Sequence, residues 1–199
     1  MKVIVVGGTG TIGKVVAREL HARHDVIPVG YQGGEVQVDI TSTDSIRQMF
    51  EQIGSFDALV SATGKVHFGP FAEMTENDYY VGIRSKLMGQ INLVLIGREY
   101  IQDYGSFTLT SGVLSHDPIR FGSSASLVNA AIDGFVTGAA IEMPRGIRIN
   151  AVSPGIVQES MESIGEFFRG HEPVPVARVA LAYIKSVEGA LTGRVFRVV

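Results

Sequence analysis

The chain has no cysteine, which excludes disulfides, thiolate metal ligands and a cysteine nucleophile. No apolar run approaches the roughly 18–20 residues that a membrane-spanning helix needs. The first apolar stretch is short and passes into glycine instead of a cleavage site, so no secretory signal is expected. A cytoplasmic protein without membrane contact is the expectation that follows. The five histidines are scattered, with no two four residues apart on a helical stretch, so no metal site is expected. Formal charge is only −3, and Lys and Arg cluster nowhere, which removes the electrostatic reason to expect nucleic acid. Neither a Pro/Ser-rich linker nor an internal repeat divides the 199 residues, so residues 1–199 are expected to form one domain.

What is abundant is glycine, with 24 residues, standing mostly at the ends of apolar runs. The opening stretch is the clearest case. Val3-Ile4-Val5-Val6 reads as a strand buried on both faces, as inside a parallel sheet. It runs straight into Gly7-Gly8-Thr9-Gly10-Thr11-Ile12-Gly13 and then into a helical pattern from Lys14. A tight glycine turn between strand and helix leaves backbone N–H groups unpaired at the helix N-terminus, where they and the helix dipole attract phosphate. Gly7 would make the turn, Gly10 would let a diphosphate approach the backbone, and Gly13 would let the helix lie close to the sheet. The spacing is G-x-x-G-x-x-G, and a purely steric turn would also use glycine.

Strand-like and helical patterns alternate throughout. Strands are expected at 25–30, 35–39, 58–62, 105–111, 146–152 and 194–198, with Pro28 an awkward member of the second. Helices are expected from an N-cap offered by Thr41-Ser42-Thr43-Asp44 to about Ile53, across 75–104 with a break near Gly82, from about Ser123 to Met143, and from Ala177 to Ser186. This alternation implies an α/β fold of three layers: a doubly wound parallel sheet of Rossmann type with about seven strands. Ligands of such sheets bind beyond the carboxyl ends of the strands. The residues at those ends are the glycine turn (with Thr9, Thr11 and Ile12), Gly30-Tyr31, Asp39-Ile40, Ser61-Ala62-Thr63-Gly64, Ser111 and Pro154-Gly155. Asp39 would either accept a hydrogen bond from an adenine amino group or serve as a turn or cap residue.

That ordered series, closing with Gly146-Ile147-Arg148-Ile149-Asn150-Ala151-Val152-Ser153-Pro154-Gly155, resembles the short-chain dehydrogenase/reductase family over essentially the whole chain. The resemblance implies a nicotinamide cofactor, with Pro154 to Val157 along the nicotinamide and Ser61 to Gly64 as a variant of the family's Asn-Asn-Ala-Gly stretch. It also implies a homo-oligomer, dimer or tetramer, built on the helices 85–104 and 123–143. No carboxylate stands at Val29-Gly30-Tyr31-Gln32 to repel a 2′-phosphate, which favours NADP over NAD although no arginine clamp is present.

One departure bears on chemistry. Most of the family uses Tyr-x-x-x-Lys, the lysine lowering the pKa of the tyrosine that transfers the proton. Here Ala125 and Asn129 fall at those places, and no tyrosine occurs between Tyr104 and Tyr183. Ser111 occupies the position of the family serine, which implies a hydrogen bond to the substrate oxygen; a turn-capping serine would look the same. Lys86 stands where the family has a catalytic asparagine, and would either supply a proton or charge to a small-molecule substrate or be merely solvated. His67, His116 and Asp117 are further loop candidates for acid–base work, and Met161, Phe167 and Phe168 for a cover over a small pocket. The expected activity is a nicotinamide-dependent oxidoreductase on a small carbonyl or alcohol with a non-standard proton route. The alternative is a non-catalytic NAD(P)-binding sensor or scaffold.

Overall fold

β1 (Lys2–Val6) is an interior strand of the sheet, and its four residues Val3 to Val6 are buried. Alternate side chains go to opposite faces, as strand geometry requires. Val3 and Val5 pack with Val16 and Leu20 of α1 (Thr11–His21) and with Val179 and Tyr183 of α7 (Val176–Glu188). Ile4 and Val6 join the larger cluster on the other face. There they meet Met49 and Phe50 of α2 (Thr43–Ile53), Leu93 of α4 (Met88–Gly97) and Ile132 of α5 (Ser123–Ala140). Each such aliphatic side chain contributes about 1.5–3 kcal/mol on burial, so both faces of β1 are anchored.

The computed structural model describes all residues from Met1 to Val199. The remaining strands are β2 (Asp25–Gly30), β3 (Val36–Gln37), β4 (Phe56–Ser61), β5 (Ile101–Thr110), β6 (Arg148–Pro154) and β7 (Val195–Val198). All pair in parallel in the order β3-β2-β1-β4-β5-β6-β7. The order reverses between β1 and β4, which opens a crevice at their carboxyl ends. No helix is long and apolar enough to cross a membrane.

The expected elements are present, with four differences. The third strand is only Val36–Gln37, because the Gly33-Gly34 turn delivers it to β2 at Val29 and Gly30 alone. That short pairing leaves Pro28 inside β2, where β3 makes no demand on its missing N–H. The helical stretch expected over 75–104 ends at Gly97, where a Cβ would lie 2.8 Å from the Phe50 ring, and Ile101 already belongs to β5. Near Gly82 the α-helix ends as expected, but the stretch stays helical. α3 (Glu76–Gly82) continues through a wider π turn, Ile83–Leu87, into α4, and Lys86 sits in that turn. Finally, a short helix α6 (Met161–Ile164) follows β6, too brief to leave a periodic signature.

The β1–α1 turn depends on close backbone contact. Gly7 takes φ +82°, and a Cβ on Gly13 would stand 2.0 Å from the Gly7 carbonyl oxygen. Because that neighbour is backbone and cannot rotate away, Gly13→Ala is expected to destabilise the fold by about 2–3 kcal/mol. Urea unfolding measures this directly; a change below about 0.5 kcal/mol would show that the helix can retreat from the turn.

Candidate functional site

Two adjoining cavities lie over the carboxyl ends of the strands. The larger is a cleft of about 740 Å³. Gly7, Thr9 and Gly10 of the first turn form its floor, with Tyr31 after β2, Asp39 and Ile40 after β3, and Ala62, Thr63 and Gly64 after β4 around it. The opposite wall is Asn77, Tyr80, Val81, Arg84 and Ser85 on α3 and the π turn, which sequence reading did not single out. The smaller cavity, of about 240 Å³, is bordered by Ile12, Lys86, Ser111, Asn129, Pro154, Gly155 and Val157. The structure thus gathers Lys86, Ser111 and most of the strand-end residues into these two cavities. Thr11 borders neither, although it opens α1 directly after Gly10.

The turn is chemically suited to an anion. The Gly7 and Gly8 amides are spent on the Val29 carbonyl and the Gly10 amide on Gly7, whereas the amides of Thr9, Thr11 and Ile12 find no acceptor in the chain. Such open N–H groups at the start of a helix are what a diphosphate binds. At Gly10 a Cβ would meet only the Gly7 carbonyl oxygen, at 3.4 Å, so its absence serves the space of the cleft more than the packing of the turn.

Asp39 borders the cleft, and it is also a turn residue. Its Oδ1 accepts from the Thr41 amide at 2.9 Å and the Thr41 hydroxyl at 2.7 Å. Those two bonds hold its carboxyl below the usual range, so it is an anion at neutral pH.

Lys86 reaches inward. Its Nζ donates to the Ser111 main-chain oxygen at 2.8 Å. Desolvation lowers its pKa from 10.5 to about 8, opposed by the carboxylate of Asp133. The backbone under it is tightly seated, since a Cβ on Gly64 (φ +121°) would fall 2.6 Å from the Lys86 Cα. Gln90, four residues on and one turn away, locks the same corner. Its amide donates to the Lys86 carbonyl at 3.0 Å and the Thr110 carbonyl at 2.9 Å, and it accepts from the Thr110 amide at 2.8 Å. A lone glutamine inside the apolar run 87–97 was the only sign of this clamp in the sequence.

Ser111 is 1% exposed, and its hydroxyl has no partner in the chain. It therefore caps no turn through its side chain. Tyr183 is buried with its hydroxyl 2.6 Å from Thr110 Oγ1. Burial pushes that phenol well above its ordinary value, so it is no proton donor near neutrality. The loop candidates fare differently from Lys86 and Ser111. His67 faces Asp78 at 3.7 Å, His116 bonds Ser115 at 3.2 Å, and Asp117 faces His171 at 3.6 Å. None of His67, His116 and Asp117 borders either cavity. Of the expected cover, Phe168 lines the smaller cavity with Ile164. Phe167 instead packs on Phe68 and Phe121 at its rim.

Comparison with known proteins agrees with this geometry. Residues 9–187 match the adh_short_C2 family model, described as Enoyl-(Acyl carrier protein) reductase. Among curated proteins, the 3-oxoacyl-[acyl-carrier-protein] reductase FabG of Aquifex aeolicus is 26% identical over 98% of this chain and 85% of its own length. The hydroxynaphthalene reductase-like protein Arp2 of Metarhizium brunneum is 27% identical over 80% of this chain and 70% of its own. The crystal structure of the protein lin1944 from Listeria innocua superposes with a TM-score of 0.98, at 50% identity and complete coverage of both chains. A small-chain dehydrogenase in complex with NADPH superposes with a TM-score of 0.89 at 28% identity, over all of this chain and 96% of its own. With the family model spanning nearly the whole chain, this protein belongs to the short-chain dehydrogenase/reductase family.

Proposed function

We propose that the protein is an NAD(P)-dependent oxidoreductase acting on a small carbonyl or alcohol. The observation that carries this reading is that Ser111, whose buried hydroxyl has no partner, borders the same small cavity as Lys86, next to a turn with open amides. The turn and the residues Tyr31, Asp39, Ala62 to Gly64, Pro154, Gly155 and Val157 would hold the dinucleotide, which when bound supplies or accepts the hydride. NADP is favoured over NAD: an exposed tyrosine and not a carboxylate follows β2, and a 28% identical neighbour was crystallised with NADPH.

Ser111 donates its hydroxyl hydrogen to the substrate oxygen and polarises the carbonyl. Lys86, with a pKa of about 8, is mostly protonated at pH 7. One of its N–H groups is held by the Ser111 carbonyl, which leaves two for the cavity. As charge grows on the substrate oxygen, a proton passes from Nζ to that oxygen, and the neutral amine regains one from solvent. The fixed contact with Ser111 positions the ammonium for this.

A reading without catalysis, as a dinucleotide-binding sensor or scaffold, draws support from the locked hydroxyl of Tyr183 and the lack of any tyrosine bordering the smaller cavity. NADPH and NADH fluorescence titration followed by turnover over a panel of carbonyls separates the two. Ser111→Ala is expected to bind NADPH with unchanged affinity and to lose about 100-fold in kcat. Tight NADPH binding with no turnover of any carbonyl by the unaltered protein would establish the sensor instead. Exposed Met88, Leu95 and Leu127 on α4 and α5 support a homo-oligomer formed over that layer; sedimentation as a monomer at micromolar concentration would refute it.

A further inference from the structure

The smaller cavity contains a second unpaired polar group. Asn129 on α5 is 3% exposed, and its Oδ1 is buried without a partner. A buried amide oxygen left without a bond costs stability, and buried polar groups are ordinarily satisfied. The amide packs on the backbone beside Ser111, since a Cβ on Gly112 would lie 2.8 Å from Asn129 Nδ2. Two buried polar atoms without partners, Ser111 Oγ and Asn129 Oδ1, therefore belong to residues that border this one cavity.

The rest of the wall has the opposite character. Val113, Leu114, Ala125, Ile156 and Phe168 form one apolar cluster around it. Lys86 is the one charged side chain among the lining residues; one Nζ hydrogen is held by the Ser111 carbonyl and the other two serve the reacting oxygen. A carboxylate or phosphate set against the rest of the wall would lose its hydration with little in return. The volume of about 240 Å³ compares with about 150 Å³ for a cavity that encloses benzene and is shared with the nicotinamide ring, so the substrate is compact.

We propose that Asn129 is a specificity-determining residue and that the substrate is a compact, uncharged α-hydroxyketone or the corresponding vicinal diol. The reacting oxygen sits at Ser111, and the neighbouring hydroxyl hydrogen-bonds to the side-chain amide of Asn129. This rests on the oxidoreductase reading above and adds the second oxygen. A ketone without that hydroxyl leaves the amide buried and unpaired, which discriminates against it.

The test compares 2-hydroxycyclohexanone with cyclohexanone, using kcat/KM with NADPH and Kd from ligand-observed NMR, in the unaltered protein and in Asn129→Ala. The hydroxyketone is expected to be preferred by about tenfold or more. Asn129→Ala should cost the hydroxyketone about tenfold more than it costs cyclohexanone, which a purely structural loss would not do. Asn129→Leu, close in size, gives the same comparison if the alanine variant fails to fold. A ratio near one in the unaltered protein, or a ratio that survives both substitutions, overturns the proposal. Should neither compound be turned over, the Kd ratio and its dependence on Asn129 still decide the ligand class, and the carbonyl panel decides the oxidoreductase reading.

Discussion

Lys86→Met is expected to abolish turnover and, at pH 7, to raise the stability of the fold. Lys86 is held in a desolvated corner with its pKa lowered from 10.5 to about 8. At about 1.4 kcal/mol per unit, that shift corresponds to roughly 3 kcal/mol of destabilisation carried by the ammonium. Methionine fills a similar volume without the charge but leaves the Ser111 carbonyl unbonded, which returns about 1 kcal/mol. The net gain of roughly 2 kcal/mol corresponds to about 4–8 °C in Tm for a chain of this size.

The sign with pH follows from proton counting. Between pH 8 and 10.5 the unfolded chain holds the Lys86 proton and the folded chain has released it, so this group makes stability rise with pH across that window. Below pH 8 both states are protonated and the penalty is full. Lys86→Met removes the contribution, so its advantage over the unaltered protein should shrink as pH rises from 8 to 10.5. In the reductive direction, activity of the unaltered protein should fall as pH rises through about 8, because the proton on Nζ is lost. Thermal melts at pH 7 and pH 10 with a pH–rate profile check all three. A variant that is less stable at pH 7, with the same pH dependence as its parent, would show that Lys86 is an ordinary solvated lysine.

Gly10→Ala is expected to leave the fold nearly intact and weaken NADPH binding by about 30-fold or more. Its backbone, at φ −84° and ψ 176°, is open to alanine, and the new Cβ would meet only one protein atom, at 3.4 Å. The loss as a helix cap is about 1 kcal/mol or less. The methyl group would instead occupy space in the cleft, where a diphosphate has to come down onto the amides of Thr11 and Ile12. Gly13→Ala in the same turn should do the reverse and act through stability. Equal NADPH affinity for Gly10→Ala and its parent, by fluorescence titration, would mean that the diphosphate does not lie on this turn.

Much of this architecture was legible because hydrophobic periodicity and glycine positions report it locally. Val3 to Val6 could hardly be anything but a central strand, and Ile46, Met49, Phe50 and Ile53 mark one face of α2, all four buried as that spacing requires. Misreadings arose where tertiary contacts override local pattern. The stretch 98–104 follows an apolar helix without proline, yet Phe50 and Phe107 seat Gly97 at the helix end and β4 draws Ile101 into pairing. The π turn at 83–87 has no sequence signature, although it sets the direction of Lys86. Strand ends pointed to the loops that converge on the two cavities, because the sheet topology fixes where those ends meet. The roles of Asn129 and Gln90 were hidden, since only the folded chain shows which buried amide is clamped and which is left open.

The central claim is that the amides after β1 hold a diphosphate and thereby set a nicotinamide beside Ser111 and Lys86. The most direct measurement is a crystal structure grown in excess NADPH. The expected result has diphosphate oxygens about 3 Å from the Thr11 and Ile12 amides and the nicotinamide ring in the cavity bordered by Ser111, Pro154 and Val157. A diphosphate bound elsewhere, or a nicotinamide ring turned out of that cavity, would contradict the account.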